Sequence, residues 1–293
     1  MSVLAALAAL LLVRLVPQAY AWDRWILLCG TFLFFPIFFS LLNGQDSAIL
    51  LLAAAVWFWG LTFSRDRIAG SGLGFVTIRP HMALVLAPLF LFKRRRVWWW
   101  FCSIAGILAL ISLLLLGSSG VENYLRILVI SASGEGNKFF NEELMVNLIG
   151  FLRRLLPESS PASIRTIGWF GYLAAIVFLC IVWMRSGRIE DRHIGLAVIL
   201  TILSVPHCHY HDLVLLLIPI YGCIRTLLEK KLIKVNDAVL VPLALSLILF
   251  TTYLFLPVLK YAILYLVMAL ILLVLWAPAK LPFKRSDLEE NRK

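Results

Sequence analysis

The sequence predicts an all-α protein, a polytopic bundle of transmembrane helices, on three observations. Hydrophobic residues make up 62% of the 293 positions and charged ones only 15%, for a mean hydropathy of +0.94, far from the balance of a soluble domain. Apolar runs long enough to cross or half-cross a bilayer recur along the whole chain. Lys and Arg, the source of the net charge of +11, gather where those runs emerge, which is what orientation in a membrane requires and nucleic-acid binding does not. One integral membrane domain spanning 1–293 is expected, with no soluble catalytic domain and no nucleic-acid partner.

The first run covers 2–20. Ala19-Tyr20-Ala21 resembles a signal-peptide cleavage site, but no positive residue precedes the run and Arg14 interrupts it, so a first transmembrane helix is predicted. Runs at 25–42 and 47–63 follow, separated by Asn43-Gly44-Gln45-Asp46. Asp46 or Ser47 is placed to cap the free amides of the second helix, where the positive dipole end suits an anionic ligand. A tight turn with a cap accounts for the same residues without a ligand.

The next segment carries a conflict. Ala69 to Phe92, about 24 residues, would span roughly 36 Å as one helix, yet Arg65 and Arg67 precede it and Lys93-Arg94-Arg95-Arg96 follow it. Both flanks are marked as cytoplasmic. A re-entrant hairpin resolves this, with two short helices meeting near Ile78-Arg79-Pro80, since Pro lacks an amide and biases its predecessor away from helix. Arg79 would then sit at membrane depth, where a charge is by default a site hypothesis and a guanidinium fork suits phosphate. Snorkelling, or neutralisation by a structural carboxylate, is the plainer alternative.

A run at 97–117 begins with Trp98-Trp99-Trp100, an expected interfacial belt. The segment 118–166 reads as the one sizeable extracytoplasmic piece, with an amphipathic helix on the membrane surface around Asn147 and with Arg126 or Lys138 as candidates to meet lipid phosphate. A spanning run at 167–184 precedes two short ones at 194–205 and 213–224, each of about 12 residues, too short to cross alone. Their junction, Pro206-His207-Cys208-His209-Tyr210-His211-Asp212, is expected to lie recessed in a cavity. On a helix His207 and His211 would share a face, compatible with a metal, a hydrogen-bonding wall for a hydroxyl-rich substrate, or turn residues with Asp212 as a cap. Runs at 238–256 and 261–277 and a basic tail at 280–293 complete the chain.

Counting Lys and Arg on alternate sides gives eighteen with the Arg65 loop and five on the other face, so the first set is expected in the cytoplasm. That orientation puts residue 1 outside at the start of an apolar helix, an arrangement that suggests upstream segments, missing or carried on a separate chain. Cys29, Cys102, Cys180, Cys208 and Cys223 show no CxxC pair, so neither disulfides nor a zinc cage is indicated.

These motifs, in this order, resemble glycosyltransferase family 87. The resemblance rests on Gly44-Gln45, Ala69-Gly70, Arg79-Pro80, the basic cluster at Lys93–Arg96, the segment Asn147 to Leu155, and Ser204-Val205-Pro206-His207 with Asp212-Leu213, together covering Phe32 to Pro219. It implies a GT-C architecture in the cytoplasmic membrane, active on its outer face. It further implies a hexosyl- or pentosyltransferase that moves a sugar, such as mannose or arabinofuranose, from polyprenyl phosphate to a glycolipid or glycan acceptor, with no cofactor. The implied carboxylate base belongs to an outer loop that precedes the Gly-Gln region, and no counterpart is expected in the 42 residues present there. Asp46 and Asp212 are the acids left near the site. Candidate substrate-binding residues are Gln45, Arg79, Asn147, His207, His209, His211 and Asp212, with no metal. A non-catalytic lipid-phosphate-binding subunit or remnant and a transporter or flippase of lipid-linked sugars are the other readings, the last because broken helices also build alternating-access sites.

Overall fold

A computed structural model describes residues 1–16, 21–133, 142–238, 240–256 and 259–277; the basic tail and Lys138 lie outside them. The described residues are mostly helical and contain no strand. The helices are α1 (Ser2–Val13), α2 (Ala21–Phe32), α3 (Phe35–Leu42), α4 (Ser47–Thr62), α5 (Asp66–Phe75), α6 (Pro80–Leu86), α7 (Arg95–Ser133), α8 (Leu148–Leu155), α9 (Pro161–Arg185), α10 (Asp191–Ser204), α11 (Leu217–Glu229), α12 (Val235–Ala238), α13 (Val241–Phe255) and α14 (Lys260–Trp276). Among the described residues three helices are long and apolar enough to cross a membrane, or four if the bent pair α2–α3 is one span. Among the others, α1, α4, α6, α13 and α14 are shorter apolar helices.

Two of the expected runs are not single straight helices. The run 25–42 bends by 48° between α2 and α3. Pro36 enters the first turn of α3, and Ser246 of α13 satisfies the backbone freed by the break: its Oγ donates to the Leu33 carbonyl (2.9 Å) and accepts from the Phe35 amide (2.8 Å). A break inside an apolar bundle requires such a partner. The run 97–117 does not end in a loop; it bends at Gly117 (φ +69°) and continues as helix to Ser133. Gly117 supplies a dihedral that side chains resist, so the segment expected to be a loop from Ser118 begins as helix. The amphipathic helix expected around Asn147 is the two-turn α8.

The buried core is drawn mainly from α1, α4, α6, α10 and α11, and α4, α5 and α7 lie close to one another because glycines line α5. A Cβ on Gly72 would fall 2.5 Å from the Trp57 amide of α4, and one on Gly70 or Gly74 would fall 2.5 Å from atoms of Trp100 or Ile104 on α7. Ala69 meets Gly60 on the α4 side. Small residues on two faces of one helix let its neighbours approach to backbone contact, the usual means of helix association where lipid offers no hydrophobic driving force.

The expected helical hairpin is present, and its ends are tied together. α5 leads through a short 3-10 turn at Val76–Ile78 to Arg79, whose extended backbone (φ −114°, ψ 80°) precedes Pro80 and α6. At the base, Arg94 Nε donates to Asp66 Oδ1 (2.7 Å) and Arg94 Nη1 to the Leu61 carbonyl (3.1 Å), so the chain enters and leaves at one end. α10 and α11 form a second hairpin. Its base is closed by Arg225, which contacts Asp191 (3.3 Å) and Thr62 of α4 (2.9 Å), and its tip is the Pro206–Asp212 turn. The tips of both hairpins meet at the start of α4, and their bases meet at its end, 16 residues away, about 24 Å along the helix.

Candidate functional site

Three elements converge where the hairpin tips meet. The start of α4 brings Asp46 and Ser47, the first tip brings Arg79 and His81, and the second brings His207 to Asp212. Arg79 Nη2 contacts Asp46 Oδ1 at 2.5 Å and lies 3.8 Å from Asp212 Oδ1. One guanidinium therefore faces two carboxylates from different parts of the chain.

The two acids differ in what they can do. Asp212 is buried, with 2% of its side chain exposed. Its Oδ1 accepts from Ser47 Oγ (3.3 Å), its Oδ2 accepts from the His209 amide (3.0 Å), and His211 Nε2 lies 3.7 Å from Oδ2. It caps the 3-10 turn at Tyr210–Leu216, as one sequence alternative had it, and pins that turn to α4. Asp46 makes no side-chain cap on α4, contrary to expectation; 38% of its side chain is exposed and its contact is Arg79. An accessible carboxylate held by a guanidinium that an anion could claim is the chemically open part of the site. Among the described residues the Nε of Arg79 and the Nε2 of His81 are buried without a hydrogen-bond partner, and buried groups of that kind call for an explanation.

The histidines come together differently from the helical reading. Residues 207–209 are not helical: His209 is extended (φ −110°, ψ 175°), which puts side chains at alternate positions on one side. The rings of His207 and His209 stack at 6.3 Å between centroids and those of His209 and His211 at 5.7 Å, so neighbours are two apart rather than His207 with His211. Among the described residues no group of His, Cys, Asp and Glu is spaced to hold a metal ion.

Asn147 holds this turn in place. It is buried, donates through Nδ2 to the carbonyls of Val205 (2.6 Å) and Pro206 (3.0 Å), and accepts the Gly150 amide at the start of α8 (3.0 Å). The Val146 amide adds a bond to the Cys208 carbonyl (2.9 Å). Asn147, offered by the sequence as a substrate contact, thus has its donors and acceptor engaged in positioning the histidines. Gln45 adjoins Asp46, half-buried, its amide on the Ser40 carbonyl (2.9 Å). Arg126 is exposed on α7. Sequence reasoning left out Ser47 and His81 as site residues. His81 directly follows Arg79-Pro80, the signal that could have found it, and Tyr172 of α9 fixes its carbonyl with a 2.8 Å bond.

Burial, followed by the positive charge of His209, pushes His207 down to about 4, and burial also lowers His209. A histidine that is harder to protonate folded than unfolded stabilises the fold fully above the free value near 6.5 and loses that contribution as pH falls toward 4. The expected outcome is a drop in melting temperature in detergent between about pH 6.5 and 4, corresponding to a loss on the order of 3 kcal/mol from His207, and its attenuation in His207→Gln. A flat profile in the native protein would contradict the buried placement of the ring.

Comparison with known proteins places the chain in context. Residues 1–206 match the model of glycosyltransferase family 87. No curated protein matches the chain, and neither does any solved structure.

Proposed function

Because the chain belongs to glycosyltransferase family 87, a family of glycosyltransferases, we propose that the cluster at the hairpin tips takes the phosphate of a polyprenyl-phosphate sugar on Arg79 and transfers the sugar to a hydroxyl of a glycolipid or glycan. The observation that carries this reading is the 2.5 Å pair between Arg79 and Asp46, in which the carboxylate is accessible and the guanidinium keeps a buried nitrogen unpartnered. A phosphate entering the tip offers Arg79 two oxygens in place of one and withdraws it from Asp46. Asp46 is then free to act as a base.

In the reaction so drawn, the acceptor oxygen bonds to the anomeric carbon as the bond from that carbon to the phosphate oxygen breaks. The electron pair leaves with polyprenyl phosphate, where Arg79 stabilises the charge, and the hydroxyl proton passes to Asp46. Asp212 is a positioning residue, and the stacked histidines form a polar wall beside the sugar. The excess of Lys and Arg at the opposite end supports an outward-facing site in the cytoplasmic membrane. A transporter of lipid-linked sugars is the second reading, favoured by the broken pair α2–α3.

The test is transfer from synthetic polyprenyl-phosphate mannose and polyprenyl-phosphate arabinofuranose, in membranes containing the native chain or Asp46→Asn. Asp46→Asn is expected to lower turnover by about 10²–10⁴-fold, the usual contribution of a positioned base, while binding polyprenyl phosphate at least as tightly, because Arg79 is no longer neutralised. Undiminished turnover would remove Asp46 from the chemistry. Binding without turnover of either donor in the native chain would favour a lipid-phosphate-binding subunit or a transporter.

A further inference from the structure

At the base of the two hairpins lies a cavity of about 950 Å³, walled by the ends of α4, α11 and α14, the connection between α9 and α10, and the starts of α5 and α10. It stands at the far end of α4 from Arg79 and shares no residue with the site described above. Six basic side chains line it, Lys93, Arg94, Arg188, Arg192, Arg225 and Lys230, against four acids. The acids are already claimed. Asp66 pairs with Arg94 (2.5 Å), Glu190 with Arg192 (2.8 Å), and Asp191 and Glu229 both with Arg225 (3.3 and 3.8 Å).

Three bases are left over. Lys93 donates to the Ser186 carbonyl at the end of α9 and Lys230 to the Ala277 carbonyl after α14 (2.5 Å), so each ammonium is held at the wall by one bond with donors to spare. Arg188 is exposed on the connection between α9 and α10, with no carboxylate partner among the described residues. Trp276 supplies an aromatic face, over which the Arg192 guanidinium lies at 5.1 Å. Three cations without a carboxylate partner among the described residues line one concave space whose six bases outnumber its four acids by two, and their free N–H donors match an anion with several oxygens.

We infer that this basal cavity is a second, separate phosphate-binding site, which binds the phosphomonoester headgroup of an anionic lipid or free inorganic phosphate, held by Lys93, Arg188 and Lys230. Basic pockets between transmembrane helices at the basic face of a membrane protein are suited to such groups. An occupant would also join the ends of α9, α11 and α14 to the base of the first hairpin, and so brace the frame whose far end carries Arg79.

The experiment is native mass spectrometry of the purified full chain with phosphatidic acid, with phosphatidylcholine, and with inorganic phosphate as competitor. The variants are Lys93→Ala/Arg188→Ala/Lys230→Ala and Arg188→Ala alone; the second changes only an exposed side chain and leaves the fold intact. Phosphatidic acid is expected to bind in preference to phosphatidylcholine, about fivefold more weakly in Arg188→Ala and about a hundredfold more weakly in the triple variant, at roughly 1 kcal/mol per basic residue. Arg79→Ala should leave this binding unchanged. Displacement by inorganic phosphate would assign the site to phosphate as such, and retention against it would assign the site to the lipid. Equal affinity in native chain and Arg188→Ala, or loss on Arg79→Ala, would overturn the proposal.

Discussion

Arg79→Ala is expected to lower sugar transfer by about 10²–10³-fold, the scale of losing one preorganised group that stabilises charge in a transition state, and to weaken polyprenyl phosphate binding in parallel. The reason lies in the pairing at the tip. Arg79 neutralises Asp46 at 2.5 Å and approaches the buried Asp212 at 3.8 Å, so its loss leaves two carboxylates facing each other with no cation between them. An incoming phosphate would then meet repulsion where it had met a fork of donors. Arg79→Lys keeps the charge but offers a point in place of a planar pair of N–H groups, and a partial loss is expected. Turnover and binding measured together separate this from Asp46→Asn, which should lower turnover without weakening binding. Undiminished transfer by Arg79→Ala would remove the phosphate role from the tip.

A large effect on the fold, and with it on the hairpin that carries Arg79, is expected from Gly72→Val. Its Cβ alone would stand 2.5 Å from the Trp57 amide and 2.8 Å from the Ala53 carbonyl, both backbone atoms that cannot turn aside. α5 would have to separate from α4, at a cost of about 3 kcal/mol or more, and the hairpin that carries Arg79 would move with it. The expected result is a loss of folded, monodisperse protein on detergent extraction. Gly106→Val on α7 is the control: a Cβ there meets nothing within 4 Å, and extraction should match the native chain. Equal yields for both variants would mean that α4 and α5 do not pack at this glycine.

The parts of the fold legible in the sequence are those written in neighbouring residues. Hydropathy located the helices, and basic residues on both flanks of 69–92 identified a hairpin whose base is closed by Arg94 on Asp66. Pro80 placed its tip at Arg79. Reading failed where an apolar run conceals a break, because Pro36 ends a helix only if some partner receives the freed amide and carbonyl, and that partner, Ser246, stands 211 residues beyond Phe35. It failed in the histidine turn because a helical period was applied to a segment whose extended backbone is held by Asn147, 58 residues before Val205. The second hairpin was visible only as two runs too short to cross.

What the sequence determined by itself is a helical membrane bundle of a known glycosyltransferase family, with an arginine at the tip of a re-entrant hairpin. Short-range physics suffices for the bundle and the hairpin, through burial of apolar runs, the missing amide of proline, and charges that stay at the ends of helices, while the order of short motifs carries the family. The tertiary structure decided which groups meet Arg79. Asp46 with Ser47, Arg79 with His81, and Asp212 belong to three distant stretches of the chain, which converge because the glycines of α5 let the first hairpin sit against α4, while Asp212 ties the second hairpin to Ser47. The same packing gathers the bases of both hairpins around the basal cavity, at the opposite end of α4. Close approach of backbones depends on the shapes of paired helix faces, and no single run of residues carries that information.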